Sequence, residues 1–587
     1  MCGIAGLMTC DGSAPDPALL KRLTSLLRHR GPDGDGMHVA GNVALVQTRL
    51  AIIDLETGDQ PIYEPGGAAL VANGEIYNYV ELRQKIADVN FTTNSDCEPP
   101  LHLYRRDGFR FAESLRGMYA IAIHDPAKET LVLSRDPFGI KPLYYVEGPT
   151  WFAFASEPQA LLATDLAPRE LVADRRNELL QLQFTCGRDT IFRDIKRVLP
   201  GETLIVRNGK VVERHRISAL PDTNPEPITD IDTALDRLDH ALSDSIMVHQ
   251  RADVPYGLFL SGGVDSSVVL AVMARLNGRP VEAYTVGFSG TGVPDERDHA
   301  RALAVAVNAH HVEVDFNEQD FWSLLPRVAA DIDDPAADYA TLPTWKLAKT
   351  AAKDLKVVLS GEGGDELFAG YGRYRSLLRP WWMGGRGIRA KGTFDGLGVL
   401  REGGTRWRDG ITAAEATGSL PGRTRLQIAQ ATDCTDWLPN DLLTKLDRCL
   451  MAHGVEGRTP LLDPVVAEIA FALPDEFKVR DGVGKWLVRR WLDRVMPEAK
   501  PFEKKRGFTV PVGEWIHGQG QRLGEIIAVQ PSVEEIARPD AVKKLFATNT
   551  KRAGFAAWTL LFYALWHRHH MEGAAADGDV FDVLTSS

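Results

Sequence analysis

Up to about Arg214, apolar residues come in short runs broken by turn formers. Val43 to Ile53, Ala68 to Ala72, Tyr119 to His124, Thr130 to Ser134 and Trp151 to Ala155 read as strands. Gly41-Asn42, Gly66-Gly67, Asp125-Pro126 and Gly148-Pro149 punctuate them. Helical spacing occurs at Leu19 to Arg28 and Tyr79 to Ala87. Residues 1–214 are therefore expected to form an α+β domain on antiparallel sheets. Leu220 to Asp230, with Pro221, Pro225 and Pro227 among polar residues, reads as a linker over 215–230.

The period changes from Ile231. Thr233 to His249 is an amphipathic helix, followed by an apolar strand at Tyr256 to Leu260 and a helix at Ser266 to Leu276. Strands at Val281 to Phe288, His311 to Phe316 and Lys356 to Leu359 alternate with helices at Asp298 to Asn308 and Leu342 to Lys353. Such alternation predicts an α/β domain over 231–572 with a parallel sheet covered by helices. Trp381 to Arg423, rich in Gly and Arg, reads as a long insertion, and the chain is mostly helical from about Ala429. Residues 573–587, small and polar, are expected to be a flexible tail.

Composition narrows the class. With 587 residues the chain has material for more than one core. Its 67 basic and 79 acidic residues give a net charge of −12, which argues against general nucleic-acid binding. The six cysteines are scattered without a CxxC pair, which disfavours a disulfide framework or structural zinc and fits a reducing cytoplasm. No signal peptide and no membrane span are expected.

Cys2 precedes Gly3. Removal of Met1 would leave a thiol and a free α-amine on one residue. That amine titrates at about 7.7–8.0 and can take the thiol's proton, so one residue supplies both nucleophile and base. Alone, a small residue after Met would be unremarkable. Three segments change that: MCGIAG (1–6), RHRGPD (28–33) and ANGEIYN (72–78). Ser95-Asp96 and RDPFGIKPLY (135–144) follow in order. Together they resemble the class II glutamine amidotransferases. The resemblance implies a sandwich of the N-terminal-nucleophile hydrolase type, with an oxyanion hole at Asn73 and Gly74. It also implies a glutamine site formed by Arg49, Leu50, Ile52, Ile53, Asn73, Gly74, Glu75 and Asp96. Arg49 would take the α-carboxylate, and Asp96 with Glu75 the α-ammonium.

LFLSGGVDSS (258–267) runs from a strand into a helix, where backbone amides favour an anion and glycines admit phosphate. No GxxxxGK[ST] occurs, which weakens kinase and motor readings. LSGEGGDE (359–366) also follows a strand, so both loops should face one crevice at the strand C-termini. Asp265 and Asp365 are candidates for holding Mg²⁺. The first loop resembles the SGGxDS motif of ATP pyrophosphatases. Both loops, GVEGRTPLLD (454–463) and KKRGF (504–508) resemble the synthetase domain of glutamine-hydrolysing asparagine synthetases. That resemblance covers nearly the whole chain. It implies an ATP site lined by Leu260, Ser261, Gly262, Gly263, Asp265, Ser266, Val286, Ser360 and Gly361. It places Glu362 and Lys505 near the activated acyl group. Gly457 departs from the family, which often carries a larger residue there.

The implied activity converts aspartate to asparagine with nitrogen from glutamine, through an acyl-adenylate made from ATP. Glutamine, aspartate and ATP are then the partners, and a homodimer is common in the family. A relative acting on a peptide or another carboxylate keeps the same reaction type. β-Lactam-forming relatives lack a working N-terminal cysteine, and phosphoribosyl or hexose-phosphate amidotransferases lack the SGGVDSS loop. A storage or regulatory descendant would be expected to have lost the second site.

Overall fold

The computed structural model describes residues 2–86, 88–223, 225–289, 291–292, 295–401, 406–503 and 510–586. Two six-stranded sheets make up the N-terminal half. One runs Lys196–Arg197, Tyr144–Glu147, Trp151–Ala155, Gly3–Thr9, Val43–Arg49, Gly34–Ala40. The other runs Lys210–Arg216, Glu202–Arg207, Thr130–Arg135, Gly117–Asp125, Ala69–Ile76, Ile62–Tyr63. The pairings between these strands are antiparallel. Ile4, Met8, Leu45, Val71, Ala120, Leu133, Phe152 and Phe154 share one core between the sheets. Alternate residues of the same strands face outward to helices: Ala5 and Leu7 join a second core, and Tyr119, Ile121 and Ile123 a third. Burial on both faces explains why these strands read as continuous apolar runs.

The C-terminal half is built on five parallel strands in the order His310–Asp315, Glu282–Gly287, Tyr256–Phe259, Val357–Leu359, Glu456–Arg458. The chain leaves Tyr256–Phe259 toward one edge and returns to its other side with Val357–Leu359. The topological switch point therefore lies between these two strands, where an open α/β sheet leaves a crevice at the strand C-termini.

Several expectations are corrected. The strand from Val43 stops at Arg49 rather than Ile53, because Leu50 to Ile53 leave the sheet to form a loop against the other half, where Ile52 O accepts from Asp253 N. Strand Lys210–Arg216 runs past position 214. The expected flexible tail instead carries helix Val580–Thr585. Asp579 caps it, and Val580, Phe581, Val583 and Leu584 are buried. Within the insertion, Trp381–Met383 forms a short 3-10 turn and Asp409–Gly418 a helix. Among the described residues, no helix is long and apolar enough to cross a membrane.

Buried and half-buried arginines tie the halves together. Arg30 binds Asp447 through both terminal nitrogens at 2.8 and 3.0 Å. Arg197 grips Asp334 at 2.8 and 2.9 Å, and Arg116 reaches Asp463 and Asp244 at 2.9 and 2.6 Å. Fork-shaped guanidinium pairing fixes orientation as well as contact.

Candidate functional site

Cys2 sits at the head of strand Gly3–Thr9, buried against the end of Ala69–Ile76. A side chain on Gly3 would meet Leu27 Cβ and Thr48 Oγ1, both at 2.8 Å, so glycine is required beside the cysteine. The Cys2 backbone nitrogen donates to Asn73 Oδ1 at 3.0 Å. The other end of that amide, Asn73 Nδ2, is buried without a hydrogen-bond partner. An unmet buried donor is costly unless a ligand uses it, and here it lies next to a nucleophile. A Cβ on Gly74 would lie 2.1 Å from Met118 O, so the backbone can run here only with glycine. Burial pushes the Cys2 thiol up. The N-terminal charge, a hydrogen bond from the Leu50 backbone and the Arg49 guanidinium act against that shift.

The residues expected to bind glutamine gather around this point. Arg49 donates to Asp59 Oδ1 at 2.7 Å and to the Asp54 carbonyl. Asp59 is exposed, so a ligand carboxylate can replace it on the guanidinium. Leu50 and Ile52 are buried and Ile53 is half-buried. Asp96 accepts from Ile76 N at 2.7 Å, and burial raises its pKa to about 6. Burial and the nearby Glu456 and Asp96 carboxylates push Glu75 well above the usual range. Arg458 stands 3.4 Å from Glu75, linking the carboxylates near Cys2 to the parallel sheet.

The second centre is a cavity of about 530 Å³ at the switch point. It is lined by Leu260, Ser261, Gly263, Asp265, Ser266, Val286, Ser360, Gly361, Glu362 and Asp365, which gathers both loops read from the sequence. Gly262 does not line it but turns the loop with φ +68°. Ser261 and Ser266 hydroxyls lie 3.0 Å apart and Ser267 Oγ donates to Gly263 O at 2.8 Å, shaping the loop into a cradle. The second loop presses on the first. A Cβ on Gly361 would lie 2.8 Å from Asp265 Cβ, and one on Gly364 2.4 Å from Asp265 Oδ1.

Asp265 and Asp365 converge, and the Lys485 ammonium bridges them, 2.7 Å from Asp365 Oδ1. Sequence reasoning missed Lys485. It also missed Arg373, Arg389, Asp441 and Lys445, which line the same cavity. Lys445 pairs with Asp338 at 3.1 Å and with Glu362 at 3.5 Å. Leu182 and Gln183, from the antiparallel half, also line the cavity. Lys505 lies outside the described residues. At Gly457, a Cβ would stand 3.1 Å from Leu450 Cδ2 and 3.2 Å from Leu446 Cγ, a tight fit that a larger residue would need these leucines to relieve.

An asparagine synthase family model matches residues 237–568, and a glutamine amidotransferase domain model matches residues 1–216. The chain belongs to the asparagine synthase family. Glutamine-hydrolysing asparagine synthetase 1 of Bacillus subtilis is 31% identical, with 97% of each chain covered. Asparagine synthetase B of Escherichia coli, also glutamine-hydrolysing, is 29% identical, covering 91% of this chain and 86% of its own length. Each half of the family's arrangement thus coincides with one of the two centres described above.

Proposed function

We propose that this chain is a glutamine-dependent asparagine synthetase, with the glutaminase in 1–216 and the ATP-consuming ligase from 231 onward. The observation that carries the reading is the composition of the cavity wall. The two glycine-rich loops that end strands Tyr256–Phe259 and Val357–Leu359 meet there with Leu182 and Gln183 of the antiparallel half.

At the first centre, Cys2 Sγ attacks the side-chain amide of glutamine after the α-amine takes its proton. Asn73 Nδ2 and Gly74 N stabilise the oxyanion of the tetrahedral intermediate, whose collapse returns the proton from the α-amine to the departing nitrogen, releases ammonia and leaves a thioester that water hydrolyses to glutamate. Arg49 holds the α-carboxylate, and Asp96 with Glu75 holds the ammonium. At the second centre, the aspartate side-chain carboxylate attacks the α-phosphorus of ATP. Pyrophosphate departs, and ammonia displaces AMP from the aspartyl-adenylate.

Asp265 and Asp365 would hold Mg²⁺. Two converging carboxylates fit an ion that retains waters and takes its other ligands from phosphate, and it would neutralise charge on the leaving pyrophosphate. Lys485, already between these carboxylates, is placed to turn its ammonium toward the phosphates. Glu362, paired with Lys445, would lie beside the acyl group.

The test is to supply glutamine, Mg²⁺-ATP and aspartate and to quantify asparagine, AMP and pyrophosphate together. Equal yields that vanish without aspartate are expected. Cys2→Ala is expected to abolish glutamine use while ammonia still supports asparagine formation. Glutamate release with no aspartate-dependent pyrophosphate would sink aspartate as the acceptor.

A further inference from the structure

The insertion places one side chain in the cavity with its binding edge unused. Arg389 follows buried Ile388 and has φ +47°, a left-handed conformation that a non-glycine residue adopts at a cost. Arg408 fixes this turn, donating to Ile388 O at 2.9 Å and to Arg389 O at 3.3 Å. The guanidinium packs over the rings of Trp437 and Phe184, 4.7 and 5.1 Å from their centroids. Its Nε and Nη2 are both buried and neither makes a hydrogen bond. These two donors share one edge of the guanidinium, the edge that grips a carboxylate with two parallel bonds.

Nearby cations in the cavity are differently placed. Arg373 pairs with Asp433, its Nε donating at 3.0 Å. Lys445 and Lys485 have the carboxylates already described. Asp441 mirrors Arg389 with the opposite charge. Its Oδ2 accepts from Trp437 Nε1 at 2.7 Å, while Oδ1 is buried without a hydrogen bond. A charged fork and a carboxylate oxygen, both buried and both without a hydrogen bond, together suit a ligand that carries a carboxylate and an ammonium. The phosphate loops lie with Ser261 and Ser360, whereas Arg389 rests on Phe184 of the nitrogen-donating half, so the anion it awaits belongs to the acceptor.

We propose that Arg389 reads a second, non-reacting carboxylate of the acceptor through Nε and Nη2, with Asp441 Oδ1 receiving the acceptor's ammonium. For aspartate these are the α-carboxylate and α-amine. The inference rests on the reading of the chain as an aspartate-amidating ligase, and it makes the insertion a determinant of acceptor choice.

The experiment compares aspartate with 3-aminopropanoate, which keeps the reacting carboxylate and amine but lacks the second carboxylate, and with succinate, which lacks the amine. Pyrophosphate release is followed for the full-length wild type, Arg389→Gln, Arg389→Lys and Asp441→Asn. Arg389→Gln is expected to lower kcat/KM for aspartate on the order of 10- to 100-fold, mainly through KM. Its rate with 3-aminopropanoate and its KM for Mg²⁺-ATP should not change, so discrimination between the two acceptors collapses. Arg389→Lys keeps the cation against the two rings, and with it the packing, but loses the fork and should discriminate poorly too. Asp441→Asn should collapse the preference for aspartate over succinate. Equal losses with both acceptors, a rise in the KM for ATP instead, or unchanged selectivity would each overturn the assignment. A wild type inert with aspartate would bring down the functional reading and this inference together, whereas an active wild type with an unaffected Arg389→Gln brings down the inference alone.

Discussion

The Cys2 thiol is buried, and burial opposes its ionisation. The α-amine that removal of Met1 would free is then the natural acceptor of its proton. The carboxylates beside it follow the same logic. Asp96 is raised to about 6 by burial, so at neutral pH it is mostly ionised and can hold an ammonium. As pH falls through about 6 it takes up a proton and loses that attraction. The KM for glutamine is therefore expected to climb below pH 6, approaching about tenfold per unit for a single proton. Asp96→Asn should start from a high KM and remove this limb. A KM that stays level from pH 7 to 5 in the wild type would take Asp96 out of glutamine recognition. Cys2, Asn73 and Asp96 were legible because each stands in a short motif. Lys485 was not, because it follows Asp365 by a long stretch of chain and its two carboxylates meet it only in the fold. Its one local mark is a cation at the start of helix Trp486–Val495, where the helix dipole disfavours positive charge.

Elements were legible where one period held over several residues. Trp151–Ala155 and the strand–loop–helix at 256–276 match their sequence patterns. Gly3–Thr9 was not read as a strand, because a run dominated by small residues carries little strand signal. Val580–Thr585 was missed because its capping box and four apolar residues lie in a short segment behind a polar stretch. The two nucleotide loops were visible as sequences, but their mutual pressure was not. Gly364 opens the short helix Gly364–Leu367, where alanine suits the backbone better than glycine. A methyl there would nonetheless stand 2.6 Å from Asp265 Cγ. Gly364→Ala is therefore expected to leave thermal stability and glutamine hydrolysis intact. It should displace the Asp265 carboxylate and slow pyrophosphate formation on the order of 100-fold, as a misplacement of about 1 Å does. An unimpaired rate would show that Asp265 does not need this position.

At the scale of the whole molecule, Cys2 is mechanically tied to the other half of the chain. Arg30 Nε donates to the Cys2 carbonyl at 3.2 Å, while its terminal nitrogens bind Glu157 and Asp447. Asp447 also accepts from Arg448 at 2.8 Å, and Arg448 in turn binds Asp333. Each of these groups is buried. Burial pushes Asp447 up, but the Arg30 guanidinium outweighs it and holds the carboxylate below its usual range. Removing one charge from such a network leaves others uncompensated, and for a full break the cost is roughly 3–5 kcal/mol. Asp447→Asn keeps the shape and most hydrogen bonds but withdraws the charge, so a smaller loss of thermal stability is expected. The informative readout is stoichiometry. If Arg30 sets the Cys2 backbone by way of Asp447, the variant should hydrolyse glutamine less efficiently and release more than one glutamate per asparagine, although the substitution lies in the ligase half. A variant that is less stable yet keeps one glutamate per asparagine and a normal KM for glutamine would reduce the network to a structural clamp. The sequence showed both centres but not this link, because Arg30 and Asp447 lie 417 positions apart and only the folded interface pairs them.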